Sequence, residues 1–337
     1  NYYKYPNIRI NSNLFVSGPN TLSFQYSRKW NKYIYIFGEI HGITHNCLNY
    51  QRGDVLDNNI GIDSKSKVYE ISEYLKGIFD KSTKFIDFYL EDPMFRDFRT
   101  VQNSFLNILR SDFTNCLFPE YRDKCKWPHI RSHFVDVRKD REEMILSRLR
   151  TDPRIKNDKR LPSEYIKIIT KLSSIKRDLN ALADFIIKLA FRTPIIKKEL
   201  IRCDIKPHLF TKILRKILPL NLKKLVNMNN FINLDPNDYK SIIKNNKNFL
   251  YIEYSLVDIY SIARMFKTFK TNTMSTPKYI IYYGGNAHAR ISRMFLEELG
   301  FIYKINNTTN IPIHITRCLN MSNIKLDFIE EEYKANT

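Results

Sequence analysis

A chain of 337 residues that is 43% hydrophobic, 13% aromatic and 27% charged has the composition of an ordered globular protein, which excludes a disordered chain. No run of about 18 apolar residues is present, so no membrane-spanning helix is predicted. The net charge of +20 attracts anionic partners, so nucleic acid and anionic surfaces are candidate partners.

In the N-terminal part of the chain, short apolar runs alternate with helical patterns. "LFVSGPNTLSFQYS" alternates around a Gly-Pro-Asn turn and predicts a hairpin, and "KYIYIFGEIHG" predicts a strand buried on both faces. Residues 66–80 have apolar side chains at helical spacing and predict a helix. "KFIDFYLEDPMF" predicts a second such strand. The segment "HIRSHFVDVRKDREEMILSRL" repeats the pattern of strand and helix, and it predicts a strand through Val137 and a helix from about Asp140.

Long, lysine-rich helical patterns occupy residues from about 160 to 270, without a strand signal. Strands return at "KYIIYYGG", "FIYKI" and "IPIHIT", with a helix through 299 after the first of them. We therefore predict an α/β (α+β) fold, with a central mixed, largely parallel sheet flanked by helices. In this single composite domain, the two halves of the core are 1–155 and 273–337, and 156–272 is a helical insertion.

Five cysteines are scattered along the chain, with no C-x-x-C pair. Their odd number and spacing argue against a disulfide framework and against a cysteine zinc site, so we predict the cytoplasm or another reducing compartment. Abundant Lys, Asn and Ile indicate an AT-rich genome, such as that of a protist, a low-GC bacterium or a large DNA virus. A location in a virion is compatible with the last of these.

Two predicted strands end in the same motif, a glycine followed three residues later by a histidine. Gly38 precedes His41, and Gly285 precedes His288, in a chain with nine glycines. Glycine serves where the backbone turns sharply or where a ligand approaches closely. Since ligands in such sheets bind at the carboxyl ends of strands, we expect both histidines at the mouth of a site.

Ionisable residues occupy the same strand ends. Glu39 lies in the first motif, Glu91 and Asp92 end the second strand, and Asp136 with Arg138 ends the third. An active site needs acid, base and charge stabiliser to converge from different elements, and an arginine suits a developing oxyanion. Histidines and carboxylates also suit a divalent metal such as Mn, Zn or Co, with an open position for water. The candidate metal ligands are Glu39, His41, Glu91 and His288.

Each of these residues also has a structural explanation. The Glu91-Asp92 pair before a proline is typical of an acidic turn, Asp136 of a helix cap, and Arg138 of an ion pair. A single glycine and histidine at this spacing also meet by chance. The two motifs together, each after a buried-strand pattern, favour a functional explanation.

The remaining histidine pairs carry a weaker signal. His129 and His133 have i, i+4 spacing at a strand entry, and we interpret that pair as incidental. His45, four residues after His41, is a spare ligand candidate. Neither a P-loop, a G-x-G-x-x-G, a G-x-S-x-G nor an H-E-x-x-H motif is present, which argues against P-loop nucleotide hydrolysis and serine-hydrolase chemistry.

Three segments resemble one superfamily, which joins TraB-type proteins, Tiki proteases, haem-binding ChaN lipoproteins and erythromycin esterases. "GEIH" at 38–41 is similar to its first motif, with the glutamate seen in the ChaN and esterase branches. "FYLEDPMF" resembles the strand with its functional glutamate, here Glu91, and "IIYYGGNAHARISRMFLEELG" resembles the second motif, here with His288. Arg138 corresponds to the family's basic residue by its strand-end position. The resemblance covers about residues 30–140 and 275–318.

This resemblance implies hydrolysis. Tiki-like members are metal-dependent peptidases, the esterase branch uses a histidine as general base with glutamates that position water, and ChaN-like members bind haem. We therefore predict a hydrolase of peptide or ester bonds that uses Glu39, His41, Glu91 and His288, with Arg138 as charge stabiliser. A divalent metal is the favoured cofactor over haem.

The alternative is a non-catalytic protein, structural or associated with a virion, which uses its basic helical region to engage nucleic acid or acidic partners. Three pairs of basic residues favour it, namely Lys197-Lys198, Arg215-Lys216 and Lys223-Lys224. Binding of this kind weakens steeply with salt, because neutralised phosphates release counterions.

Overall fold

The structure is a computed structural model that describes residues 13–40, 45–51, 62, 65–93, 105–137, 163–229, 246–268, 276–308, 316–322 and 324. Within these ranges the protein has a mixed α/β fold with two sheets and flanking helices, as the sequence predicts. Among the helices of the described part, none is long and apolar enough to cross a membrane.

The larger sheet supplies the strand ends on which the candidate site depends. Its strands are β2 (Thr21–Ser27), β3 (Lys32–Glu39), β6 (Ile86–Pro93), β7 (Ile130–Asp136), β8 (Tyr279–Gly285) and β9 (Ile302–Thr308). They lie in the order β7-β6-β8-β3-β2-β9. The pairs from β7 to β3 are parallel, whereas β2 pairs antiparallel with β3 and β9. The predicted mixed, largely parallel sheet is therefore confirmed.

Four shorter strands form a second sheet, in the order β4-β10-β1-β5. They are β1 (Leu14–Ser17), β4 (His45–Asn46), β5 (Lys67–Glu70) and β10 (Thr316–Asn320).

Helices cover both faces of the larger sheet. Along β3, Ile34 and Ile36 belong to one apolar core, and Tyr35 and Phe37 to the other, because successive side chains of a strand point to opposite faces. One face packs on α2 (Ile71–Lys81), α3 (Phe105–Asp112) and α4 (Thr114–Leu117). The other packs on α5 (Ser163–Ser174), α6 (Leu179–Arg192), α7 (Pro194–Ile201), α8 (Pro207–Leu225), α9 (Asn246–Met265) and α10 (Asn286–Glu298). A short α1 (Cys47–Gln51) follows β4, and a 3-10 helix spans Pro119–Lys124.

Between residues 163 and 268 the described chain is helical, as predicted for the insertion, apart from connecting turns and one isolated bridge. The predicted helix at 66–80 begins later, at Ile71, because Lys67–Glu70 pairs with β1. The predicted helix from Asp140 and most of "IPIHIT" lie outside the described residues.

The predicted hairpin at the N-terminus is wrong, because β1 and β2 belong to different sheets. Gly18, between them, has φ 127, a backbone conformation that favours glycine, and its N–H donates to the carbonyl of Arg317. The chain thus passes from one sheet to the other at the expected turn. The hairpin forms instead between β2 and β3.

The prediction against disulfides is also wrong. Cys47 bonds to Cys318 and Cys116 bonds to Cys125, while Cys203 remains a thiol. The first pair is 271 residues apart and meets because β4 pairs with β10, which sequence spacing does not reveal. The reducing compartment stays a prediction that the cysteine pattern no longer supports.

Candidate active site

The two glycine motifs lie side by side in the larger sheet. β3 and β8 are parallel neighbours, with Gly38 opposite Gly284 and Glu39 opposite Gly285. A Cβ atom on Gly284 would lie 2.7 Å from Oε2 of Glu91, and one on Gly38 would collide with the side chains of Asn286 and Thr21. Both glycines are therefore needed for close approach, since Glu91 and the start of α10 occupy the space that their side chains would take.

Glu91, at the end of β6, is held at the N-terminus of α10. Its Oε2 accepts a hydrogen bond of 2.6 Å from the N–H of Gly285, the residue before the helix. The unpaired N–H groups and the dipole of a helix N-terminus stabilise a negative charge there. Glu91 is 3% exposed, so this stabilisation acts on a buried carboxylate, where little solvent screens it.

His288, in the first turn of α10, lies between two carboxylates. Its Nε2 is 3.0 Å from Oε1 of Glu91, and its Nδ1 is 2.6 Å from Oδ1 of Asp258 on α9. Burial alone would lower the pKa of the imidazole, but Glu91 and then Asp258 raise it to about 10. His288 is therefore an imidazolium at neutral pH, and both of its ring nitrogens are engaged.

Asp258 completes this cluster, and the sequence argument missed it. It lies in the apolar run "SLVDIYSI" of α9, where Val257 and Ile259 are buried in the core. Tyr254, one helical turn earlier, packs roughly perpendicular to the His288 ring, with 5.3 Å between ring centroids. A carboxylate between buried apolar residues of a helix is the sequence signal that could have found it, because such a group needs a polar partner.

Glu39 occupies the opposite face of the sheet. The hydroxyl of Tyr283 donates to its Oε2 at 2.5 Å, and Tyr283 belongs to the core on the α2 side. Burial and the neighbouring carboxylate raise the pKa of Tyr283 well above its usual value. Because Gly38 faces α10, the next residue along β3 faces away from it. The structure therefore does not bring Glu39 together with Glu91 and His288.

Of the remaining candidate site residues, some lie outside the described part of the chain and others have a described position. His41, Arg138 and the side chain of His45 lie outside the described residues. Asp92 lies inside β6 and not in an acidic turn; it is fully buried, and its Oδ2 is 3.0 Å from the guanidinium of Arg110. Asp136 is 8% exposed at the end of β7.

His129 and His133, the pair interpreted as incidental, make their contacts outside the candidate site. His133 lies between Asp87, 2.9 Å from its Nε2, and Arg264, 3.0 Å from its Nδ1. Burial lowers its pKa, so this histidine is neutral. The contacts tie β6 and β7 to α9. His129 contacts the carbonyl of Phe79 at 3.1 Å.

The side chains of this cluster can be compared with the ligands that a divalent metal needs. Within the described residues, no group of three or more His, Cys, Asp or Glu side chains is arranged to hold one. Glu91 and His288 are donor types that Zn, Mn and Co accept, and Asp258 has the position of a carboxylate that orients a metal-bound imidazole. Catalytic zinc sites use three protein ligands. The described residues thus match a metal in donor type but offer two candidate ligands, Glu91 and His288, where such a site uses three.

Fold and cluster define a class: a mixed α/β protein with a buried carboxylate, imidazolium and second carboxylate at the carboxyl ends of its parallel strands. Comparisons with protein-family models, with curated proteins and with solved structures yield no match to the chain. The superfamily resemblance therefore rests on the motifs and stays a prediction.

Proposed function

We propose that the protein is a hydrolase of peptide or ester bonds, of the TraB/Tiki and erythromycin-esterase type, with its reaction centre at Glu91 and His288. One observation carries this proposal: Glu91 and Asp258 engage the two ring nitrogens of His288, at the strand ends where ligands bind in such sheets. An adjacent carboxylate and imidazolium form a base and an acid within 3.0 Å of each other.

The charges of the cluster assign the roles. Glu91, held by the N–H of Gly285, is the base that takes a proton from water as the water oxygen bonds to the substrate carbonyl carbon. His288, protonated at neutral pH, is the acid that gives its proton to the leaving oxygen or nitrogen as the old bond breaks. Transfer of the proton from Glu91 to His288 restores both groups. Asp258 positions the imidazole and stabilises its charge.

A divalent metal is the alternative at the same centre: Glu91 and a deprotonated His288 would hold it in place of the proton between them, and it would supply Lewis-acid polarisation of the carbonyl. His41, two residues beyond Glu39, and Arg138 are proposed as a further ligand and as the oxyanion stabiliser, on the motif argument alone. Glu39 is left out of the centre, because its carboxylate lies on the other sheet face with Tyr283.

A substrate screen tests this proposal. The purified chain would be assayed on nitrophenyl esters and fluorogenic peptides, with and without added Mn²⁺, Zn²⁺ or Co²⁺. We expect turnover that falls at least about 100-fold in Glu91→Gln and in His288→Gln, the usual scale for loss of a general acid or base. His208→Gln, which changes an exposed histidine of α8, is the matched control and should leave turnover unaltered.

Folding of each variant would be checked by circular dichroism. Turnover that survives either substitution in a folded variant would contradict the mechanism. Retention of the metal by His288→Gln, measured by elemental analysis, would remove His288 as a ligand but leave the acid and base roles intact.

A further inference from the structure

Helix α8 carries basic side chains and no acidic ones. Its sequence, PHLFTKILRKILPLNLKKL, places its basic residues on the exposed side, while Phe210, Leu214, Leu218 and Leu222 are buried in the core. Because 3.6 residues make one turn, Lys212, Lys216 and Lys223 fall along one stripe, and Arg215 and Lys224 lie at its two edges. The exposed basic residues are Lys212, Arg215, Lys216, Lys223 and Lys224.

Neighbouring helices neutralise part of this stripe. Arg215 lies 2.7 Å from Asp184 of α6, and Lys216 lies 2.7 Å from Glu298 of α10. α6 adds Lys188, which is exposed one turn beyond Asp184. Within the described part of the chain, the other three lysines of the stripe have no ion pair. We define the α6–α8 basic face as Lys188, Lys212, Arg215, Lys216, Lys223 and Lys224, six positive charges against the two acidic partners.

We propose that the α6–α8 basic face binds the phosphate backbone of double-stranded nucleic acid. From Lys212 to Lys224 the stripe extends about 18 Å, at about 1.5 Å per residue, so one helix reaches several phosphates. A net charge of +20 draws a polyanion towards this face. Contacts to phosphates carry no sequence information, so the binding is independent of sequence.

The chemistry of the face separates a duplex from two other anionic partners. The one Phe, Tyr or Trp of α8 is Phe210, which is buried, so the helix offers no ring on which unpaired bases stack. A membrane-surface helix needs an apolar side to insert, but here the apolar residues face the core and Leu220, 55% exposed, stands alone. This inference does not depend on the proposed hydrolase.

Fluorescence anisotropy with labelled 20-base-pair DNA and RNA duplexes tests it over a range of salt concentrations. The triple variant Lys212→Gln, Lys223→Gln and Lys224→Gln removes three charges without touching a buried residue. We expect its Kd to rise about tenfold or more, and the slope of log Kd against log salt to fall by about 2 to 3. The matched control, Lys67→Gln, Lys81→Gln and Lys124→Gln, removes three exposed lysines elsewhere and should change the Kd much less.

Three results would overturn the proposal. The first is no binding to either duplex at 50 mM salt. The second is an equal loss of affinity in the two triple variants, which would mean that net charge alone matters. The third is binding to a single strand or to phosphatidylserine vesicles that exceeds duplex binding and depends on the same three lysines. Tighter binding of one duplex type than the other would identify DNA or RNA as the source of the phosphates.

Discussion

Nδ1 of His288 lies 2.6 Å from Oδ1 of Asp258, although the two residues are 30 positions apart and belong to different helices. α9 is the last described helix of the insertion, and α10 follows a core strand. The insertion therefore contributes a charged group to the candidate site and contacts the core at this point. Removal of this carboxylate should affect the stability of both.

Asp258→Asn tests that coupling. Without the carboxylate, a buried imidazolium loses one of its two anionic partners, so the free energy of unfolding should fall by about 3 kcal/mol. Urea unfolding measures this loss. Asp184→Asn, which breaks the exposed pair with Arg215, is the control and should cost about 1 kcal/mol or less. Equal losses would mean that the His288 contact adds nothing beyond a surface ion pair.

The substitution Gly284→Ala tests whether Glu91 and Tyr282 approach the backbone at this glycine as closely as the structure shows. The new Cβ atom would lie 2.6 Å from the hydroxyl oxygen of Tyr282 and 2.7 Å from Oε2 of Glu91, so both side chains must move. We expect a loss of about 1 to 3 kcal/mol in unfolding free energy, the usual cost of overpacking, together with loss of any turnover.

Gly77→Ala is the matched control for that substitution. Gly77 lies inside α2, and a Cβ atom there meets no atom within 4 Å. The alanine should therefore stabilise the protein by about 0.5 to 1 kcal/mol through helix propensity. If both alanines stabilise the protein, the space beside Gly284 is larger than the structure shows.

The sequence predicts those parts of the site that depend on strand ends. Glu91 and His288 come together because parallel neighbouring strands end at the same edge: Glu91 lies near the end of β6, and His288 lies three residues after the end of β8. Glu39 lies at the same edge of the sheet but on the opposite face from Glu91 and His288. Successive side chains of a strand point to opposite faces, so the position of Glu39 next to Gly38 already indicates this difference. Asp258 is on a helix far along the chain, so its partner depends on packing that no local pattern encodes.

Long-range pairing also decided the features that the sequence did not predict. The polar and apolar alternation of "LFVSGPNTLSFQYS" correctly indicates two strands, but it does not say which partners they take. Likewise, Cys47 meets Cys318 through the pairing of β4 with β10. Local periodicity identifies an element, whereas its neighbour in the sheet depends on the packing of the whole chain.

The two disulfides should differ in their effect on stability. Cys47 and Cys318 are 271 positions apart in the sequence, and Cys116 and Cys125 are 9 apart. In the chain-entropy account, the larger loop restricts the unfolded chain more, by about 3 kcal/mol. Thermal unfolding of Cys47→Ser with Cys318→Ser should therefore show the larger loss, compared with Cys116→Ser and Cys125→Ser. The reverse order would contradict this account.

The buried Lys32 should make the free energy of unfolding depend on pH, and this effect does not involve the candidate site. Its side chain is 1% exposed, its ammonium group donates to the carbonyl of Pro277, and burial lowers its pKa from 10.5 to about 8, although Asp87 acts in the opposite direction. Between pH 8 and pH 10.5 the unfolded chain therefore binds more protons at this lysine than the folded chain. The contribution of Lys32 to stability must rise with pH across that window.

Lys32→Met lacks this group and keeps the apolar stem. The difference in unfolding free energy, wild type minus variant, should increase by up to about 3 kcal/mol between pH 8 and pH 10.5, since each pKa unit corresponds to about 1.4 kcal/mol. Lys81→Met, at the exposed end of α2, is the control for loss of a positive charge. Parallel curves for wild type and Lys32→Met would mean that Lys32 keeps its ordinary pKa, and that water reaches its ammonium group in the folded protein.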